Sequence, residues 1–268
     1  MIEPITGESI RMDSTPDQPP LLCENTQDGV LHLTLNRPER YNVLSAAMMS
    51  ALRERLDHAA TDPEVRVIVL SAAGKAFCAG HDLNEMGADK SAEDLRALFA
   101  RCTDLMLTIQ RQPQPVIARV QGVATAAGCQ LVAMCDLAVA ADTARFAVSG
   151  INLGLFCSTP AVALSRNLSR KDALEMLLTG DFIDAASAKS KGLINRVVPE
   201  ARLDEEISQL AGSIVAKSPE AIAAGKALFY RQLEVGIEPA YAMAGDVMAC
   251  NATFDDARAG IARFTRPR

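Results

Sequence analysis

Seven cysteines and three histidines are the side chains of this 268-residue sequence best suited to act as nucleophiles, bases or metal ligands. Their spacing argues against a metal: there is no CxxC pair, and His32, His58 and His81 share no ligand-forming interval. Cys23, Cys78, Cys102, Cys129, Cys135, Cys157 and Cys250 lie scattered through apolar segments, the usage expected of reduced thiols in a cytosolic protein. Two of these groups sit in loops beside other reactive side chains. His81 belongs to GKAFCAGHDL, next to Asp82 and shortly before Glu85. Cys157 belongs to GLFCSTP, next to Ser158 and not far from Ser149, two hydroxyls with no base nearby in the sequence. Each group also has a plainer reading. The thiol serves as a small buried hydrophobe, the imidazole as a loop side chain, and Asp82 as a turn cap.

Composition narrows the function class. A net charge of −6 disfavours a nucleic-acid groove or an anionic membrane surface as partner. There is no tryptophan and aromatics make up 4%, so stacking platforms for bases or sugars are scarce. The 49% hydrophobic and 22% charged content suits a globular protein with a full core. Its length allows one large domain or one domain with an appendage. The first twenty residues are polar, acidic and proline-bearing; they lack both the apolar core of a signal peptide and the arginine-rich character of a transit peptide. They are expected to form an unstructured lead-in on a cytoplasmic protein. The apolar stretch LVAMCDLAVAA is broken by Asp136, so no membrane span is expected.

The elements that must position these loops follow from periodicity. VLHLTL (30–35) and VRVIVLSA (65–72) read as strands. Between them, LSAAMMSALRERLDHAA places Leu44, Met48, Leu52 and Leu56 on one helical stripe, with Ser45 as a cap. A helix from about Ala92 to Gln110 turns Leu95, Leu98, Phe99, Cys102, Leu105, Met106 and Ile109 inward. PVIARVQG (115–122) is a strand ending at Gly122, TAAGCQLVAMC starts a helix, and LAVAA (137–141) is again a strand. Strand and helix alternate with short connections, the pattern of an α/β fold. Beyond about residue 170 the pattern is helical almost throughout. The predicted organisation is a lead-in over 1–20, an α/β core over 21–204 and a helical region over 205–268.

Three segments together resemble the enoyl-CoA hydratase (crotonase) superfamily: NRPERYNVLS with its helix, GKAFCAGHDLNEM, and PVIARVQGVATAAGCQLVAMCDLAVAADTARFAVSGINLG. LEMLLTGDFIDAASAKSKGLINRVVP looks like the family's next stretch. Within the superfamily, ATAAGCQLVA and GLFCSTPAVALSR are similar to the enoyl-CoA hydratase domain-containing protein 3 branch. The resemblance implies a spiral of ββα turns, a C-terminal helical trimerisation region and a homotrimer or dimer of trimers. It implies an acyl-CoA thioester as ligand, with coenzyme A arriving as part of the substrate and no separate cofactor.

It also implies an oxyanion hole made by the backbone N–H groups of His81 and Ala127, the second at a helix start whose dipole favours negative charge. Ala126 and Ala127 replace the family's usual glycines; alanine tolerates helical geometry, so the departure reads as mild. The loop carrying Ala79, Gly80, Asp82 and Leu83 resembles the segment that holds the CoA ester. Arg40, with Lys226 and the tail residues Arg266 and Arg268, is the candidate for its phosphates.

The acid–base pair is where this sequence departs from the family. The two glutamates of its hydratases map to Gln130 and Gly150, neither of which titrates usefully. Losing groups that each contribute about 10²–10⁴-fold removes most hydratase activity. Cys157 falls where the family's pocket wall approaches the acyl chain. The AGHD run of His81 also occurs in the superfamily's methylmalonyl-CoA decarboxylases, whose pocket tyrosine maps to Cys157. The expectation is a hydratase-like lyase or isomerase of weak or atypical activity. The alternatives are a non-catalytic acyl-CoA binder, or a thioesterase or decarboxylase using the same cradle.

Overall fold

The computed structural model describes residues 19–25 and 28–265. Most of the expected lead-in, residues 1–18, and the tail arginines Arg266 and Arg268 lie outside the described residues. The chain opens with an antiparallel pair, β1 (Leu21–Asn25) and β2 (Val30–Leu35), followed by helix α1 (Ala46–Ala59). Ser45 caps α1 as the sequence suggested, its hydroxyl accepting from the Met48 amide at 3.2 Å.

A repeating path then sets the architecture. β3 (Val67–Ala72), β4 (Ala76–Cys78) and α2 (Ala92–Arg111) make one turn; β5 (Val116–Val120), β6 (Val123–Thr125) and α3 (Ala127–Met134) make the next. β7 (Leu137–Ala141) and β8 (Arg145–Ala147) begin a third, which continues through α4 (Ser158–Asn167) and α5 (Arg170–Thr179). The first strand of each turn joins a six-stranded sheet ordered β1-β2-β3-β5-β7-β10, and the second joins a four-stranded sheet ordered β4-β6-β8-β9. Successive turns pair in parallel in both sheets, Ile68 opposite Val116 in one and Val123 opposite Arg145 in the other. Stacked ββα turns of this kind are a spiral, as the resemblance implied.

The large sheet is buried on both faces, which explains its continuous apolar strands. Along β3, Ile68 and Leu70 point into the main core, while Val67 and Val69 point to a second cluster under α7 (Leu203–Val215). Leu203, Ile207 and Leu210 of α7 close that outer face. Burying each such aliphatic side chain contributes about 1.5–3 kcal/mol.

Six short strands escaped the periodicity reading: β1, β4, β6, β8, β9 (Ile183–Asp184) and, after α6 (Ala185–Ser190), β10 (Arg196–Val198), which extends the large sheet beside β7. The strand expected over 115–122 is β5, which ends at Val120; after the turn at Gln121 and Gly122 the chain enters β6 in the other sheet. The last helical stretch divides into α9 (Ile237–Asn251) and α10 (Asp255–Thr265), after α8 (Pro219–Gln232).

Helices α8, α9 and α10 carry no buried residue. What fastens α8 to the body is polar. Lys226 Nζ donates to Asp136 Oδ2 at 2.6 Å and to the Ile109 and Gln114 carbonyls at 3.2 and 3.0 Å, and Tyr230 donates to Asp136 Oδ1 at 2.8 Å.

Candidate active site

The loop after β4 is held against the segment before α1 by backbone hydrogen bonds. The Ala79 amide donates to the Tyr41 carbonyl at 3.0 Å, and Leu44 donates to the Gly80 carbonyl at 2.7 Å. Asn42, fully buried, cements the junction by donating to the Ala73 and Ala76 carbonyls, each at 2.8 Å. Leu44 and His81 form an isolated parallel bridge. In a parallel bridge the residues flanking His81 face Leu44, so the His81 amide turns the other way.

On that other side stands the start of α3. A Cβ built on Gly80 would lie 3.3 Å from the Ala127 nitrogen and 2.9 Å from the Ala126 Cβ, so the two segments touch. Gly80 also has φ +96, a conformation that favours glycine. Gly128 permits the same closeness one residue further on, since a Cβ there would collide with the Cys78 carbonyl oxygen at 2.1 Å. Among the described residues, neither the His81 nor the Ala127 amide donates to a protein acceptor. Ala127 is the first residue of α3, where helix amides have no intrahelical partner and the dipole is positive. Two residues with unengaged N–H groups, His81 and Ala127, therefore lie on adjoining segments.

Ala127 is helical, but Ala126 is not: its φ of 50° and ψ of −121° correct the expectation that alanine is mild there. This is the geometry of the first central residue of a type II′ turn, which glycine normally occupies.

Both amides border a cleft of about 400 Å³. Its walls are mainly apolar, built from Leu83, Met86, Phe99, Leu153, Leu155 and Phe156. The sequence reading placed Phe99 facing inward and Leu83 in the substrate-holding loop but did not single out the others. Leu153, Leu155 and Phe156 come from a connection without regular periodicity, which left no signal for them. Ala79, His81, Gly150 and Cys157 also line the cleft.

His81 packs edge-on against Phe99, ring centroids 5.5 Å apart at 76°. Burial holds its imidazole below the ordinary histidine range, with the Leu44 backbone opposing. Burial raises the Cys157 thiol above its ordinary range, with the Gly150 backbone opposing, so it is not an activated thiolate. Deeper in, Cys78 and Cys129 are pushed up to about 12 by burial and behave as inert core atoms.

The remaining sequence-predicted residues are placed differently. Arg40 pairs with Asp82 at 2.8 Å and keeps 48% of its side chain exposed beside the loop. Asp82 also accepts from the Asn84 amide at 3.0 Å, capping the short turn that follows. Glu85 is committed to α1, its carboxylate accepting from the Ala46 amide at 2.9 and 3.1 Å. Ser149 and Thr125 share a 2.8 Å hydroxyl hydrogen bond, and Ser158 donates to the Phe156 carbonyl at 3.3 Å.

Lys226 is corrected: it does not stand free for a phosphate. Its side chain is 8% exposed, and all three ammonium donors are engaged by Asp136, Ile109 and Gln114.

The two positions that replace the family's glutamates differ from each other. Gln130 is 4% exposed with its Oε1 unpaired, and it is not among the cleft-lining residues. Gly150 borders the cleft, but a Cβ there would lie 2.7 Å from Cys157 Sγ and 2.8 Å from the Leu155 carbonyl oxygen. The space for a side chain at 150 is filled by the thiol and by backbone. Restoring a glutamate there is therefore not a simple reversion.

The sequence pattern described as Enoyl-CoA hydratase/isomerase matches residues 25–268. Enoyl-CoA hydratase domain-containing protein 3, mitochondrial, of Rattus norvegicus is 44% identical over 260 residues, covering 97% of this chain and 87% of that protein. A crystal structure of an enoyl-CoA hydratase from Mycobacterium smegmatis superposes with a TM-score of 0.91 at 60% identity, covering 94% of this chain and 99% of that one. The crystal structure of human enoyl Coenzyme A hydratase domain-containing protein 3 gives 0.89 at 43% identity, covering 91% and 96%.

The rat and human proteins are both mitochondrial by name, which overturns the cytoplasmic location expected from the cysteines and the leading segment. Free thiols report a reducing compartment without saying which one. The leading segment that would carry an address lies outside the described residues.

Proposed function

The chain belongs to the enoyl-CoA hydratase/isomerase family, and from that premise we propose that it binds an acyl-CoA thioester and polarises its carbonyl. The observation that carries this reading is that His81 and Ala127, whose amides are unengaged, both line one apolar cleft. A thioester oxygen gains negative charge as an enolate or tetrahedral species forms, and fixed amides stabilise that charge without reorganising. Each such donor contributes about 10²–10³ in rate. The acyl chain lies along Leu83, Met86, Phe99 and Phe156, and Arg40, half-exposed and paired with Asp82, meets the CoA phosphates.

Ordinary hydration is not the favoured reaction. It needs one group to activate water and another to protonate the α-carbon, and no carboxylate is among the residues lining the cleft. The filled space at Gly150 also supports a second reading, an acyl-CoA binder that retains the cradle without turnover.

The exposed apolar residues of the last helices, among them Phe229, Leu233, Ile237, Tyr241, Met248 and Phe264, support assembly as a homotrimer or a dimer of trimers. Light scattering checks the mass.

The functional test is calorimetric titration with crotonyl-CoA, run beside the absorbance of its conjugated thioester. Binding with little loss of absorbance is expected. Absence of binding overturns the reading, and rapid loss of absorbance overturns the exclusion of hydration.

A further inference from the structure

No lysine, arginine, aspartate or glutamate lines the cleft among the described residues. The two titratable side chains that do line it are uncharged. Burial keeps the His81 imidazole neutral, and both of its nitrogens are sealed from solvent, so any part of the ring that reaches the cleft is carbon. The Cys157 thiol is raised by burial and stays protonated. Two hydroxyls of the wall are engaged: Ser149 shares a hydrogen bond with Thr125 at 2.8 Å, and Ser158 donates to the Phe156 carbonyl at 3.3 Å. The carboxylates of the loop that carries Leu83 are committed as well, Asp82 to Arg40 and Glu85 to the Ala46 amide.

Two helix starts border the cleft, Ala127 of α3 and Ser158 of α4. The first is assigned above to the thioester oxygen, and the Ser158 amide donates to the Phe156 carbonyl at 2.7 Å. A helix start favours an anion by about two- to fivefold. A carboxylate stripped of water needs far more than that, a cation or several donors at once. A cleft of about 400 Å³ with aliphatic and aromatic walls supplies neither.

We propose that this site selects by charge: it takes thioesters whose acyl group is neutral and apolar to its end, and it excludes acyl groups that end in a carboxylate. This rests on the acyl-CoA reading above and narrows its substrate class. Both kinds of ligand carry the same CoA and the same thioester, so the wall decides between them. An apolar tail leaves water along Leu83, Met86, Phe99 and Phe156, and each buried methylene is worth about fourfold in affinity. A tail ending in a carboxylate has two courses, both unfavourable. Inside the cleft it loses its hydration with no cation in return. Held out in water, it draws its methylenes out with it. The second course sets the scale, since three methylenes left unburied amount to about 60-fold.

The test titrates the full chain by calorimetry with valeryl-CoA, glutaryl-CoA and the methyl ester of glutaryl-CoA. The three share five acyl carbons and differ in whether the chain ends as a methyl, a carboxylate or a neutral ester. Valeryl-CoA is expected to bind about 30–100-fold more tightly than glutaryl-CoA. The ester, which carries no charge, recovers about tenfold or more of that gap. Phe156→Lys sets a cation on the half-exposed wall and narrows the gap by about fivefold or more. Should that variant misfold, judged by circular dichroism, the three ligands on the parent chain carry the comparison. Glutaryl-CoA binding within about threefold of valeryl-CoA overturns the proposal and leaves the acyl-CoA reading intact. An ester that binds as weakly as the acid overturns it too, because charge would then not be the discriminator. A gap unchanged in folded Phe156→Lys overturns the assignment of the selection to this wall. Valeryl-CoA that fails to bind overturns the acyl-CoA reading and this proposal with it.

Discussion

Replacing Ala126 by glycine is expected to make this protein more stable, against the usual direction of an alanine-to-glycine change. Ala126 holds φ 50° and ψ −121°, where its Cβ crowds its own backbone. A non-glycine residue in such a region costs on the order of 1–3 kcal/mol. Glycine relieves that strain but gives the unfolded chain more freedom, which costs about 0.4–1 kcal/mol. The Cβ faces Gly80, which has no side chain to pack on it, so removing the methyl gives up little packing there. The net gain is about 0.5–2 kcal/mol, or a few degrees in Tm for a chain of this size. The assay is urea unfolding of both proteins at one protein concentration, because assembly would otherwise shift the midpoint. A midpoint for Ala126→Gly at or below that of the parent refutes the argument. It would mean that the strain is absorbed elsewhere, or that the alanine methyl contributes packing that outweighs it.

Three further outcomes follow from other contacts. Gly150→Glu should lower stability by about 1–3 kcal/mol through overpacking against Cys157 and Leu155, and should not raise crotonyl-CoA hydration; thermal unfolding and the absorbance assay check the two parts. Lys226→Met should cost about 3–5 kcal/mol, because it leaves the Asp136 carboxylate buried without its cation; a fluorescence- or dichroism-detected urea curve reads it, and a loss below about 1 kcal/mol would show the pair to be dispensable. The imidazole of His81 is held below its unfolded value, so below about pH 6.5 the unfolded chain binds the extra proton more readily. Its contribution is therefore present above that pH and is lost as the pH falls through the folded value. The stability difference between the parent and His81→Phe should shift against the parent on acidification, and a difference independent of pH between 5 and 7 would contradict the burial argument.

Much of this was legible in the sequence because it depends on local periodicity. The stripe Leu44, Met48, Leu52 and Leu56 and the cap at Ser45 needed only helical spacing and one hydroxyl, and all four apolar residues are buried as read. β7 falls on LAVAA because both faces of that strand are covered, giving an unbroken apolar run. The His81 and Ala127 amides were singled out only through the resemblance, since a backbone N–H leaves no side-chain signature. β9 and β10, two and three residues long, are too short to show a period, and their pairing with β8 and β7 alone makes them strands.

Tertiary structure decided whatever depends on which distant residues meet. Lys226 looked available for a phosphate until α8 brought it against Asp136, ninety positions earlier in the chain. Gly150 looked like an empty place until the loop through Leu155 and Cys157 folded back across it. Ala126 looked helical until β6 handed the chain to α3 through a turn with positive φ. The type and spacing of residues along the chain determine which elements form and which chemistry is on offer. Burial, unpaired polar atoms and backbone strain arise only when those elements close on one another, and they decide which of the offered groups can act.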